Sequence, residues 1–132
     1  MVPMSSETQT LTVVVAEDFI PVRERLVAKV AEIPGVSVVG ETATVPETIA
    51  RIRALKPDVV MLDWSLRGGT GLDVLRQMRA EQMRSEVIVV TNYSFPEYRE
   101  KALAAGAHAF FSKSRQIPEA MAMIRQMAAS PS

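Results

Sequence analysis

Five side chains of this 132-residue sequence stand where chemistry can be done: Glu17 and Asp18, Asp63, Thr91 and Lys113. Each follows a short apolar run: LTVVVA before the acidic pair, VVML before Asp63, VIVV before Thr91, and AFF two residues ahead of Lys113. Three carboxylates in one crevice repel one another, and ionising all of them takes either a raised pKa or a bound cation. Hard oxygen ligands without imidazole or thiolate nearby point to Mg²⁺, octahedral and retaining several waters, not to zinc or copper. Lys113 adds a positive charge opposite the acids. Metal, ammonium and the Thr91 hydroxyl together can stabilise the equatorial oxygens of a phosphoryl group in transit, with a carboxylate as its nucleophile.

Those residues need a scaffold that gathers four distant segments. The runs 11–16, 36–40, 59–62, 87–90 and 109–111 are short and apolar, rich in valine and isoleucine except the last, which is Ala-Phe-Phe, and read as strands. Between them lie helical patterns: Val22, Leu26, Val30 and Ile33 up to Pro34-Gly35; 46–55; Leu72, Leu75 and Met78; 96–105, closed by Gly106; and Ile117, Met121, Ile124 and Ala128. Residues 64–70 read as a loop. Strict alternation predicts an α/β, (βα)5, flavodoxin-like fold: a doubly wound five-stranded parallel sheet of order 2-1-3-4-5. In that order the winding reverses between strands 1 and 3, and ligands bind outside the carboxyl ends of strands at such a point. All five residues end there, and strand 2 contributes nothing obvious.

Composition sets the bounds. Fifteen Lys and Arg balance fifteen Asp and Glu, so no electrostatic footprint for direct nucleic-acid binding or for an anionic membrane exists. Absence of Cys excludes thiol catalysis and Cys-based metal centres. No apolar run approaches the ~18 residues of a membrane span, and the N-terminal stretch has no signal-peptide pattern, so a cytoplasmic location is expected. Residues 1–9 read as a disordered lead, 10–129 as one domain and 130–132 as a frayed end.

With these residues in view, the span from about Thr10 to Ala129 resembles the receiver domain of two-component response regulators. The resemblance rests on Glu17-Asp18 after strand 1, Asp63 with Gly71 eight residues on, Thr91 after strand 4, and the segment GAHAFFSK, where Phe110 lies three before Lys113. It implies that Asp63 accepts phosphate from a phosphohistidine on a histidine kinase or histidine phosphotransfer protein. It also implies Mg²⁺ held by Asp18, Asp63 and the Ser65 carbonyl, with Glu17 acting through a bound water. Thr91 and Phe110 would form a switch, the ring turning inward and remodelling the surface of helix 4, strand 5 and helix 5 for a downstream protein target or a homodimer. Such a module promotes only its own phosphorylation and dephosphorylation and is not otherwise an enzyme. With no effector domain after helix 5, a stand-alone receiver is expected.

Four positions depart from the family pattern. Arg67 stands where Pro is usual, Thr70 where an acid is usual, Asn92 where Ala or Gly follows the switch Thr, and Ser114 where Pro follows the Lys. Gly68-Gly69 make the loop after Asp63 more permissive than a proline would. Asn92 and the adjacent Tyr93 occupy positions that would tune phosphate lifetime, by shielding the phosphoryl group.

Blander readings compete. An acidic pair after a strand also complements a helix dipole, and Thr91 or Lys113 alone is an ordinary surface residue; the joint placement decides. His108 reads as a surface loop residue, Met121 and Met127 as packing, and Met123 as exposed. Gly69-Thr70-Gly71 follows strand 3 and lacks the third Gly of a dinucleotide loop. A degenerate receiver acting as an unphosphorylated interaction module is the alternative. A Mg²⁺-dependent phosphatase fits poorly, because Trp64-Ser65 follow Asp63 where a second carboxylate is needed.

Overall fold

The computed structural model describes residues 10–93 and 95–129, so the expected N-terminal lead and C-terminal fray lie outside the described residues. The chain runs β1 (Leu11–Ala16), α1 (Ile20–Ala31), β2 (Val36–Thr42), α2 (Val45–Leu55), β3 (Val59–Leu62), α3 (Gly71–Ala80), β4 (Glu86–Thr91), α4 (Pro96–Ala104), β5 (Ala109–Ser112) and α5 (Ile117–Ala129). The sheet order is β2-β1-β3-β4-β5, every pair parallel. This is the doubly wound flavodoxin-like arrangement that the alternation predicts.

Continuous apolar strands arise because both faces are covered. Alternate residues go to opposite sides: Ala16, Val60, Leu62, Val87, Val89 and Phe110 pack under Ile52 of α2, Val74, Leu75 and Met78 of α3 and Ala102 of α4. Val13, Val15, Val59, Met61, Ile88 and Val90 pack under Leu26 and Val30 of α1 and Ala120, Met121 and Ile124 of α5. Each fully buried Val, Leu or Ile contributes about 1.5–3 kcal/mol relative to exposure, so the three central strands anchor the domain. Adjacent Phe110 and Phe111 divide between the two faces. Met123 is half-buried against the second core rather than exposed. His108 is exposed, its Nδ1 3.6 Å from Glu86.

Local chemistry ends the helices where the sequence says. Thr44 caps α2 by accepting from the Glu47 amide at 3.1 Å, and Lys56 closes it in a left-handed conformation ahead of Pro57. After α4, Gly106 (φ +109°) donates to the Leu103 carbonyl, and the Ala107 amide reaches back to Ala102 at 2.9 Å, a Schellman motif.

Beyond shifts of one residue at several element ends, the structure departs from the sequence reading in two places. Strand β2 runs two residues further, through Glu41 and Thr42, which pair with Val15 and Ala16; their polarity hid a stretch that backbone pairing makes strand. Residues 64–70 are not a plain loop. Ser65–Leu66 and Gly69–Thr70 form a small antiparallel hairpin, and Arg67 bridges to Thr44, the Val45 amide donating to the Arg67 carbonyl at 2.9 Å. Gly68 and Gly69, at φ +84° and +149°, make the turn. The segment is therefore tied down, not permissive.

Gly71 opens α3 with ordinary φ, so space rather than conformation demands a glycine. A Cβ there would meet the Asp63 carbonyl oxygen at 2.8 Å and the Trp64 Cα at 3.2 Å. Gly71→Ala should lower the unfolding free energy by about 1–3 kcal/mol, the usual cost of overpacking, and a urea midpoint equal to wild type would refute this contact. A second expectation concerns the far end of the sheet, where Arg53 of α2 forks onto Glu81 at 3.0 and 2.7 Å. The hydrogen bond from Arg53, then that from Gln77, holds the Glu81 carboxyl at about 2 against an ordinary 4.5. A depressed acid stabilises the fold above its unfolded value and loses that contribution as pH falls, here from about 4.5 through about 2. In Arg53→Met, the Glu81 carboxyl resonance should titrate closer to its ordinary value, still lowered by the Gln77 hydrogen bond, and the stability gap to wild type at pH 7 should close on acidification through that window.

Candidate functional site

Register builds the site. Ala16 lies level with Leu62, and Leu62 with Val89, so the next residues of β1 and β3 emerge side by side. Backbone bonds extend the ladder past the strand ends: Glu17 donates to the Thr42 carbonyl at 2.9 Å, Asp63 to Ala16 at 3.0 Å, and Lys113 to Thr91 at 2.9 Å. Glu17, Asp63 and Lys113 are thereby fixed by main chain before any side chain interacts.

Their side chains then meet. The Lys113 ammonium donates to Oε1 of Glu17 and, at 2.9 Å, to Oδ2 of Asp63. Glu17 Oε2 accepts from the Phe19 amide at 3.0 Å, and Asp63 Oδ1 from the Ser65 amide at 3.4 Å. Glu17 and Asp63 are buried and Asp18 half-buried. Burial and the neighbouring Asp63 charge push the Glu17 carboxyl up, against the hydrogen bond from Lys113 that pulls it down. Burial alone would lower Lys113, but the hydrogen bonds and charges of Glu17 and Asp63 outweigh it and hold the ammonium above its ordinary value.

Carboxylate oxygens of Glu17, Asp18 and Asp63 lie within 4.8 Å of one another. One ammonium does not balance three ionised acids. The donors are all hard oxygens, so the cluster fits a small divalent cation that keeps part of its water shell, as Mg²⁺ does. Glu17, Asp18 and Asp63 are the side chains able to hold it.

Thr91 is fully buried at the end of β4, its Oγ accepting from the Tyr93 amide at 3.1 Å. Asn92 and Tyr93 are exposed. Phe110 occupies the inward position, 4% exposed, with its ring 6.4 Å from that of Trp64. Trp64, buried beside Asp63, also meets Tyr98 of α4 at 5.6 Å, and Tyr98 continues edge-on to Tyr93 and Phe95. After β5, Ser114 hydrogen-bonds Ser112 through their hydroxyls at 3.1 Å, and Gln116 accepts from the Ser112 amide at 2.9 Å, so side chains shape the turn.

The structure thus gathers Glu17, Asp18, Asp63, Ser65 and Lys113, sets Thr91 at the neighbouring strand end, and leaves Asn92 and Tyr93 on its rim. Sequence reasoning missed Tyr98 and Arg99, which join α4 to Trp64 and to the Phe110 carbonyl (3.2 Å); α4 has no apolar stripe that would mark either as inward. It also missed Arg23, whose Nη1 donates to the Glu17 carbonyl at 2.9 Å, and Glu41, 3.7 Å from Arg23 Nε. Strand β2 does contribute to the site, through Glu41 and the Thr42 carbonyl.

Comparison with known proteins shows the family to which this fold belongs. A family model described as the response regulator receiver domain matches residues 13–125. Response regulator GacA of Pseudomonas syringae pv. syringae is 31% identical over 115 residues, covering 87% of this chain and 54% of that protein. The DNA-binding transcriptional activator DevR/DosR of Mycobacterium tuberculosis is 33% identical over 101 residues, covering 76% of this chain and 46% of the activator. The chain spans about half the length of the curated relatives it matches. Among solved structures, a LuxR-family DNA-binding response regulator from Staphylococcus aureus superposes with a TM-score of 0.82 at 29% identity, covering 89% of this chain and 98% of that one. A LuxR-family two-component response regulator from an Aurantimonas species gives 0.84 at 28%, covering 91% and 86%. No described helix is long and apolar enough to cross a membrane. On its residues, its strand order and these matches, the chain belongs to the response regulator receiver domains, the phosphoacceptor modules of two-component signalling.

Proposed function

We propose that Asp63 is the phosphoacceptor and that the cluster Glu17–Asp18–Asp63–Lys113 is the site of transfer. The observation that carries this reading is the pairing of a buried Asp63 oxygen with Lys113 while two further carboxylates stand within cation-sharing distance. In this reading the second Asp63 oxygen attacks the phosphorus of a phosphohistidine; the P–O bond forms, the N–P bond breaks, and the imidazole leaves. Mg²⁺, when bound, neutralises charge on the phosphoryl oxygens. Asp18, Asp63 and the Ser65 carbonyl would hold it directly, Glu17 through water. Lys113 balances the remaining charge, and Thr91 turns its hydroxyl from the Tyr93 amide toward the new phosphoryl group. Phosphodonors are a histidine kinase or a histidine phosphotransfer protein in the cytoplasm.

Output passes through the face of α4, β5 and α5 to a downstream protein target, or to a second copy of the chain. Thr91 and Phe110 form the switch in this reading. Phe110 already lies inward, so the change begins at Thr91 and at the contacts of α4. Residues 10–129 act as one receiver unit, as the unbroken pair of cores beneath ten elements supports.

The test is intact mass after incubation with Mg²⁺ and acetyl phosphate. Wild type should gain one acid- and base-labile phosphoryl group and Asp63→Asn none. Wild type left unmodified by this donor and by a phosphohistidine donor would replace the reading with that of an unphosphorylated interaction module. Lys113→Ala should slow acquisition by about 10²-fold, the usual scale for removing one charge-stabilising donor. Tyr93→Ala should shorten the phospho-Asp63 lifetime, and an equal or longer lifetime would remove Tyr93 from the kinetic role.

A further inference from the structure

We infer that Arg23 is a positioning residue for the acidic pocket, clamping the β1–α1 turn from its main-chain side so that Asp18 is held where a cation can use it. This inference rests on reading the pocket as a Mg²⁺-dependent phosphoacceptor site.

Arg23 lies one turn into α1, where its backbone makes the first helical hydrogen bond, as any residue there would, and its side chain adds a second tie to the turn. Its amide donates to the Phe19 carbonyl at 2.9 Å, and its Nη1 donates to the Glu17 carbonyl at 2.9 Å. Asp18 sits between those two anchored carbonyls. Glu17 is already fixed on its other sides, by the Thr42 carbonyl, the Phe19 amide and Lys113. Among the described residues no side chain hydrogen-bonds the Asp18 carboxylate, so its placement follows the backbone that the clamp holds.

The guanidinium is costly where it is. Its side chain is 18% exposed, and Nε is buried without a hydrogen-bond partner, 3.7 Å from Glu41 Oε1. A partly desolvated cation with an unsatisfied donor is poor structural material, and its pairing with the solvent-exposed Glu41 is screened and adds little. Stability alone does not account for Arg at this position, whereas a planar guanidinium that reaches the Glu17 carbonyl while its charge lies near Glu41 does.

Electrostatics and geometry predict opposite signs. A positive charge behind the acids repels a divalent cation, so a purely electrostatic role would make Arg23→Met bind Mg²⁺ more tightly. Glu41 offsets that charge, and orientation of the ligand should win. Partners that orient metal ligands are worth about 10–100-fold in affinity.

The experiment titrates the full chain with MgCl₂, following Trp64, the single tryptophan, buried beside Asp63. Arg23→Met should stay folded without Mg²⁺, its melting temperature lowered only by the loss of one hydrogen bond, and should weaken Mg²⁺ binding by about tenfold or more. Arg23→Lys, which keeps charge and stem but loses the fork, should fall between them. At saturating Mg²⁺ the acetyl phosphate reaction of Arg23→Met should return to within about twofold of wild type, since Asp63 and Lys113 are intact. Equal or tighter Mg²⁺ binding by the folded Met variant would overturn the inference, as would a rate that saturating Mg²⁺ fails to restore. If Arg23→Met does not fold, Arg23→Lys decides by the same titration: weakened binding supports the clamp, and wild-type binding removes it. Wild type that neither responds to Mg²⁺ nor takes phosphate would overturn the proposed function and this inference with it; a responsive wild type matched by the variants overturns the inference alone.

Discussion

The Lys113 ammonium, shared between Glu17 and Asp63, is the interaction on which the rest depends. Two buried carboxylates side by side are untenable without a counter-charge, and the lysine that supplies it is 96 residues from one and 50 from the other. A contact of that span forms only when β1, β3 and β5 are in one sheet in one register. A one-residue slip would turn every side chain of a strand to its opposite face, sending the acids into a core. The pocket and the apolar core therefore specify each other: core burial sets the register, and the register sets the charges.

That coupling also fixes what a change in the pocket can reach. Asp63 is followed directly by Trp64, which fills the core beneath α4, so the residue next to the carboxylate is itself packed against Tyr98 and Phe110. Helix α4 buries only Ala102 fully among its nine residues. Its other attachments are few and nameable: Tyr98 on Trp64, Arg99 on the Phe110 carbonyl, and Arg79 of α3 on the Ala104 carbonyl at 3.1 Å. An element with so little buried surface is among the cheapest to displace. It is also the one joined by aromatic contact to the neighbour of Asp63.

Sequence patterning made most of this legible where a signal is local. β1 and β3 have the bounds that their apolar runs predict, because buried parallel strands consist of little else. The acids, Thr91 and Lys113 were found because strand ends in this fold converge. Glu41 and Thr42 were not, since pairing with β1 rather than their own character makes them strand. The hairpin at Ser65–Leu66 and Gly69–Thr70 escaped for the same reason. Arg23 and Tyr98 escaped more deeply: an arginine in an exposed-looking first turn, or a tyrosine in a helix without a stripe, turns inward only because of what a distant strand presents.

The departures around Asp63 show how a loop keeps its task while losing its usual residues. With Arg67 and Thr70 in place of the residues usual in the family, rigidity must come from elsewhere. Thr70 supplies part of it, accepting from the Asp73 amide while Asp73 accepts from the Thr70 amide at 2.8 Å, a reciprocal cap on α3. Backbone bonds between Arg67 and residues 43–45 supply more, tying the hairpin to the start of α2. Gly71, its amide 2.6 Å from the Trp64 carbonyl, presses α3 against the backbone of Asp63 itself. A proline stiffens one torsion; here three hydrogen-bonded attachments hold the same segment, and each begins from a residue whose side chain takes no part in the chemistry.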